Sequence, residues 1–402
     1  MQASFFIHNR QNLARKLDDG LFVLGAYSKM QRTSYEAFDF KQESNFWYLS
    51  GISEPDWLLI HDGKSNKSWL VRPKENPHLA VFDGELSDAS AIDRSGVDEV
   101  ISMSQMKLLL KKLVLQHKKV YTVFPPKGLT RLELTPNPAP SRMRRMLKTY
   151  SESVIDCRKD LAELRAIKQP VELAQIQHAI TITGQAFEYV AQNINDYKNE
   201  YSIEADMSYM FRNHNNATHA YSPIVASDVH ACTLHYNKNS AKLSKNNLVL
   251  IDVGASINGY NADITRTFAY GQPTSRMVDV FRAVSDAQSE VIAMLRPNLS
   301  LQDIQQQVEK IMYKKLQIIG LDKGSKRAAL HEYFPHAIGH GLGIDVHEPL
   351  AYNSLAEGMV LTIEPGIYIQ KEGIGVRIED NILITKDGHK NLSEHIRKDL
   401  VY

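Results

Sequence analysis

Residues 248–270 read LVLIDVGASINGYNADITRTFAY, two apolar, β-rich runs on either side of Asn258-Gly259. That dipeptide accepts the positive φ angles of a tight turn, so the stretch predicts an antiparallel hairpin. Asp252 and Asp263 stand 11 positions apart and about equally far from the turn, which brings their side chains to one face of the ribbon. Aspartate is disfavoured in strands, and Asp252 follows the apolar run LVLI, so a partly buried carboxylate is expected there. A second acidic hairpin follows in MVLTIEPGIYIQKEGIGVRIEDNILIT, residues 359–385, with strand-like runs around 371–375 and with Glu364 and Glu379 15 positions apart about that turn. Both pairs are expected in strand interiors. One Asp pair alone has a plainer reading, hydrogen bonding to a turn or pairing with Arg266. A second pair in the same setting weakens it. Four carboxylates gathered at one place repel unless they are protonated or meet cations, and two divalent ions match their charge. The pattern asks for a binuclear metal site.

Between the hairpins, FPHAIGHGLGIDVHEPL (334–350) sets His336, His340 and His347 within twelve positions. The helical zinc-protease motif HExxH is excluded, because Ala337 stands where its glutamate is required. Gly339, Gly341 and Gly343 do not follow the dinucleotide-binding spacing, and Gly63-Lys64-Ser65 lacks the earlier glycine of a phosphate loop, with Leu58 in its place.

The whole chain has 402 residues, enough for two or three domains at ~150 residues each, and two is the expectation. Its 47 Lys and Arg balance 46 Asp and Glu for a net charge of +1. A neutral surface argues against nucleic acid or an anionic membrane as partner. With 43% hydrophobic and 23% charged residues, and only Cys157 and Cys232, the composition is that of a folded protein of a reducing compartment. No signal-peptide pattern or apolar run of spanning length appears, so a cytoplasmic location is expected.

In the first third, LFVLG (21–25), NFWYL (45–49), DWLLI (56–60), SWLVR (68–72) and VYTVF (120–124) read as strands and 101–117 as a helix, a compact α/β unit. The aromatic cluster of Phe38, Phe40, Phe46, Trp47 and Tyr48 reads as its core. The proline-rich TPNPAPSRMRR (135–145) argues against a packed helix or central strand and points to a boundary there or soon after. From Pro170, the spacing of Leu173, Ile176, Ile180, Phe187 and Ile194 predicts a helix opening a second domain.

Taken in order and in context, Asp252, Asp263, His340, Glu364 and Glu379 resemble the ligand set of the pita-bread metallopeptidases. IDVGASINGYNADITRTF, HAIGHGLGIDVHE, TIEPGIY, GVRIEDN and ACTLHY (231–236) carry the resemblance over much of residues 160–402. FDFKQESNFWYLSGISEPDWLL (38–59) is similar to the amino-terminal domain of the family's Xaa-Pro aminopeptidases. The resemblance implies an α/β domain over residues 1–158 followed by an α+β pita-bread (creatinase/aminopeptidase-like) catalytic domain over 159–402. It implies hydrolysis of the N-terminal Xaa-Pro bond of peptides with proline at the second position, by attack of a metal-bridging hydroxide. The cofactors would be two divalent ions, with Mn²⁺ preferred for a mostly oxygen ligand set. Asp252 would hold one ion, His340 and Glu364 the other, and Asp263 and Glu379 both. By the same resemblance His235 and His347 would contact substrate and oxyanion, Glu364 would shuttle a proton to the leaving nitrogen, and His336 would assist more remotely. Arg377, on the face of Glu379 by strand alternation, would bind a substrate group or orient a carboxylate. A homo-oligomer is implied as well. The alternatives are a prolidase restricted to dipeptides, a metal-independent creatinase-like hydrolase, and a non-catalytic binding member of the fold; the last two sit badly with five retained ligand types.

Overall fold

A computed structural model describes residues 1–74, 76, 81–126, 134–215 and 217–401. The chain divides into two units, Met1–Leu164 and Arg165–Tyr402.

The first unit is built on a six-stranded mixed sheet of β1 (Leu21–Gly25), β2 (Leu58–Asp62), β3 (Lys67–Val71), β4 (Glu99–Ile101), β5 (Val120–Thr122) and β6 (Val154–Asp156), in the order β4-β3-β2-β1-β5-β6. Strand β1 pairs antiparallel with β2 and parallel with β5, so it lies between neighbours and its LFVL is buried, as an apolar run without alternation requires. The expected helix 101–117 is shorter, Met103–Leu113, because Ile101 ends β4 and Ser102 caps the helix by accepting the Gln105 N–H.

Three expectations fail in this unit. NFWYL is not a strand but part of the helix Ser44–Ser50. The Glu43 carboxylate accepts the Phe46 N–H at 2.6 Å, and burying Phe46, Tyr48 and Leu49 outweighs aromatic strand propensity. The proline-rich stretch forms a packed helix, Ala139–Lys148, with Ala139, Pro140, Met143 and Leu147 buried. Pro138 is its N-cap and Pro140 falls in its first turn, where the missing N–H groups would have had no helical partner. The aromatic cluster is only partly core: Phe46 and Tyr48 are buried but Phe38 is 57% exposed.

In the second unit the helix Pro170–Gln192 begins on the proline expected, with Glu172 accepting the Gln169 N–H. It is followed by the helix Glu200–Asn213, β7 (Thr218–His219) and β8 (Ile224–Ser227). The first hairpin is long and bent. Its arms are β9 (Asn247–Val253) with β10 (Ala255–Ile257) and β11 (Tyr260–Asn261) with β12 (Ile264–Tyr270), joined at Asn258 and Gly259, whose φ angles are 50° and 83°. The second repeats the plan: β13 (Val360–Ile363) and β14 (Gly366–Ile369) run out, β15 (Ile374–Arg377) and β16 (Asp380–Thr385) return, and β17 (Gly388–Asn391) pairs with β16.

Helices Ser275–Met294, Leu301–Ile318 and Lys326–Tyr333 cover the second hairpin. In the first of these Met277, Val280, Val284, Ala287 and Val291 recur at helical spacing and pack with Ile363, Ile367, Val376 and Ile378. Each larger aliphatic side chain so buried contributes about 1.5–3 kcal/mol. The second acidic hairpin is thus fixed from one face by a continuous apolar core.

Candidate metal centre

Of the four acidic residues only Asp252 lies within a strand, in β9 opposite Thr265. Asp263, Glu364 and Glu379 sit in breaks, between β11 and β12, β13 and β14, and β15 and β16. This corrects the expectation of strand interiors. Where the ladder is interrupted the chain turns its side chains inward, but backbone groups are left without ladder partners. Two buried amides supply them. Asn381 accepts from the Asp263 N–H at 3.2 Å and donates to the Asp263 carbonyl at 2.5 Å. Gln288 donates to the carbonyls of Ile363 and Ile378 at 3.0 and 3.1 Å, the residues just before Glu364 and Glu379. The buried Arg266 adds a bond to the Glu379 carbonyl at 2.7 Å.

His340 arrives on a segment that runs beside β13, with Thr362 N–H donating to its carbonyl and Glu364 N–H to that of Ile338. Gly339 makes this approach possible, since a Cβ there would lie 1.9 Å from the Thr362 carbonyl oxygen. The Thr362 hydroxyl accepts the His340 N–H and donates to Glu364, at 3.1 and 3.3 Å.

The ligand atoms of Asp252, Asp263 and Glu379 lie within 4.8 Å of one another, as do those of His340, Glu364 and Glu379, and of Asp263, His340 and His347. The groups overlap, Glu379 belonging to two and Asp263 to two. Their electrostatics suit cations. The His340 Nδ1–H faces the Gly341 carbonyl at 3.0 Å, which leaves the Nε2 lone pair toward Asp263 and Glu364 oxygens at 3.5 and 3.4 Å. Burial first, then His347, pushes the His340 imidazole down to about 4, so no proton fills that gap at neutral pH. An acceptor facing two acceptors is repulsive unless a cation lies among them.

The carboxylates tell the same story. Burial, then Asp252, raises Asp263 well above the usual range; burial, then Asp263, does so for Glu379; burial, then Glu379, does so for Glu364. The Tyr221 hydroxyl lies 2.5 Å from an Asp252 oxygen and 2.6 Å from an Asp263 oxygen, with one proton for two acceptors. Cation charge would relieve the excess of acceptors. The donor set therefore fits divalent metal, with oxygen ligands predominating.

Around the cluster, Arg377 is buried and donates to Asp252 at 2.5 Å, Thr265 at 3.2 Å and Tyr368 at 3.0 Å. Of the two roles expected for it, these contacts match orienting a carboxylate. Thr265 in turn donates to Glu379 at 2.7 Å. His336 accepts from the Tyr368 hydroxyl at 2.9 Å and lies 3.9 Å from Glu364. Burial, foremost, pushes its imidazole down to about 4. The His347 ring stands edge-on to His340, centroids 4.2 Å apart. His235 is exposed, and near enough to His336 and His347 to add to the lowering that burial begins in both.

Sequence reading missed Tyr221, Gln288 and Asn381 together with Thr265 and Thr362. The threonines had a signal, each standing two positions from an acidic residue on an alternating strand. Tyr221 and Gln288 had none, because their partners are remote in sequence.

Comparison with known proteins adds the family context. Residues 174–386 match metallopeptidase family M24, and residues 6–121 match the aminopeptidase P N-terminal domain. The chain is 30% identical to Xaa-Pro aminopeptidase of Escherichia coli (strain K12) over 98% of its own length and 95% of that enzyme's. It is 32% identical to Xaa-Pro aminopeptidase of Haemophilus influenzae, over 96% and 93% of the two chains. Among solved structures, aminopeptidase P from E. coli with the inhibitor Pro-Leu superposes with a TM-score of 0.87 at 27% identity, covering 99% of this chain and 96% of that one.

Proposed function

The chain belongs to metallopeptidase family M24, and on that premise we propose that it is an Xaa-Pro aminopeptidase working with two divalent ions, Mn²⁺ by preference. It is a metallo-exopeptidase by the same relationship. The observation that carries the binuclear reading is the overlap of the ligand groups through Glu379 and Asp263. We assign Asp252 to one ion, His340 and Glu364 to the other, and Asp263 and Glu379 to both.

Bound divalent ions supply an acidified water and a polarised carbonyl, the two needs of amide hydrolysis. The protein's own groups do the rest. His235 and His347 donate hydrogen bonds to the substrate and to the oxygen that gains charge as water adds to the scissile carbonyl. As the C–N bond breaks, the proline nitrogen takes a proton, whose relay we assign to Glu364. Arg377 keeps Asp252 turned inward, and His336 lines the substrate side beside Tyr368. A bond before proline lacks the N–H that strand-like substrate binding uses, so holding its carbonyl at a fixed centre is an advantage. Action in the cytoplasm as a homo-oligomer belongs to the same proposal; among the described residues no helix is long and apolar enough to cross a membrane.

Two experiments test it. With Mn²⁺ present, Xaa-Pro-Xaa peptides of increasing length should each lose one N-terminal residue, read from product masses; cleavage confined to the Xaa-Pro dipeptide would make the enzyme a prolidase. Asp263→Asn should lower turnover by about 100-fold or more, since outer-shell changes alone cost about 10–100-fold, and should reduce the Mn²⁺ bound per chain. Undiminished turnover in metal-limited buffer would refute the shared-ligand role.

A further inference from the structure

His235 stands on a long connection between β8 and β9 whose regular structure is one short 3-10 turn, Asp228–Cys232, and an isolated bridge of Lys242 with Asn199. Such a segment needs an internal anchor to hold a side chain in one place. The Glu200 carboxylate, fully buried at the start of the helix Glu200–Asn213, is that anchor. One oxygen accepts from the Ser227 N–H and hydroxyl, both at 2.8 Å, and faces His230 Nδ1 at 3.4 Å. The other accepts from the Tyr236 hydroxyl and the Ala241 N–H, both at 2.8 Å. The Glu200 N–H itself donates to the Ala241 carbonyl. These partners span residues 227–241 and bracket His235, with Tyr236 its immediate neighbour.

The anchored segment also reaches the metal centre. The His230 ring stacks on Tyr236, centroids 4.5 Å apart and 9° from parallel. Tyr236 packs in one cluster with Leu250 and Tyr368, and the Tyr368 hydroxyl bonds both His336 and Arg377. Strand β8, which leads into the segment, pairs Ile224 with Asp252.

We propose that Glu200 is a positioning residue for catalysis: its buried carboxylate fixes the 227–241 segment so that His235 meets the substrate. This rests on the reading of His235 as a substrate-contacting group. A carboxylate is required because the Ser227 N–H and hydroxyl, the Tyr236 hydroxyl and the Ala241 N–H all donate to it. An amide in its place turns an N–H₂ toward donors on one side.

The test is a double-mutant cycle on the full-length, Mn²⁺-loaded enzyme with an Ala-Pro-Ala tripeptide. Glu200→Gln should lower kcat/KM by about 10- to 100-fold, the scale of a misplaced catalytic group, in the same parameter, kcat or KM, that His235→Ala moves. Mn²⁺ affinity by calorimetry should stay within about twofold. In the His235→Ala background Glu200→Gln should then cost less than about twofold. An undiminished effect in that background, or Mn²⁺ binding lost in step with activity, overturns the positioning role alone. Unchanged kcat/KM in His235→Ala overturns the reading beneath it as well. Should Glu200→Gln fail to fold, Tyr236→Phe takes its place, with a loss of about 3- to 10-fold expected for one hydrogen bond and the same non-additivity required.

Discussion

His347 lies beside the carboxylate cluster and His235 stands near His336 and His347; the two occupy different connections, and the connections are held by opposite means. The one bearing His347 is clamped by ions. Glu348, buried next to it, meets Arg165 at 2.7 Å and Lys168 at 2.9 Å and also accepts the Ile344 N–H. Asp345 takes a further bond from Arg165 at 2.6 Å. The one bearing His235 hangs on Glu200, whose hydrogen-bond partners among the described residues include no Arg or Lys. A buried ion cluster is costly to assemble and more costly to leave half-made, whereas a carboxylate among neutral donors loses less when disturbed. The stiff side of the centre is therefore the His340–His347 segment, which also brings the proposed metal ligand His340, and the more compliant side is the one bearing His235, the other histidine assigned to the substrate.

The largest expected effect is on the ionic side. Glu348→Gln leaves Arg165 and Lys168 buried without their shared counter-charge and should cost about 3–5 kcal/mol of stability, measured by urea unfolding of the metal-free protein; a loss below that of Glu200→Gln would abolish the contrast. For Glu200→Gln the loss should be about 1–3 kcal/mol, the scale of unsatisfied buried donors. The two sides should also differ in acid. Burial would raise the Glu348 carboxyl, but Lys168 and then Arg165 draw it from its ordinary 4.5 down to about 2. A lowered folded-state value means that its stabilisation is complete above 4.5 and is lost as pH falls through about 2. That part of the acid limb should vanish in Glu348→Gln and persist in Glu200→Gln, followed by unfolding at fixed urea across that range. The smallest effect belongs to Tyr236→Phe, about 1 kcal/mol for one hydrogen bond; a larger loss would show that the tyrosine, not Glu200, organises the segment.

Sequence reading was strongest where the signal was local. Two apolar, β-rich runs about Asn258-Gly259 marked the first hairpin, and the spacing of the acidic residues singled out side chains that the fold does bring together. It erred where a neighbour in space overruled local preference, as with NFWYL, drawn into a helix by burial and the Glu43 cap, and TPNPAPSRMRR, whose prolines fit a helix start. It also put the carboxylates inside strands, although three of them occupy breaks. A break leaves no mark in hydrophobic periodicity because the strands on both sides are buried nearly throughout and read as apolar runs.

Ligand chemistry, the two hairpins and the neutral charge balance were determined by the amino-acid order itself, since period, turn residues and composition act over a few positions. Which oxygen faces which nitrogen was decided only on folding. Tyr221 between two aspartates, Gln288 across two breaks, Glu200 against Tyr236 and Arg165 against Glu348 are pairings between residues far apart along the chain. Each exists because a polar group buried by the packing must find a partner wherever the packing supplies one, and that choice depends on distance in space rather than on neighbours in sequence.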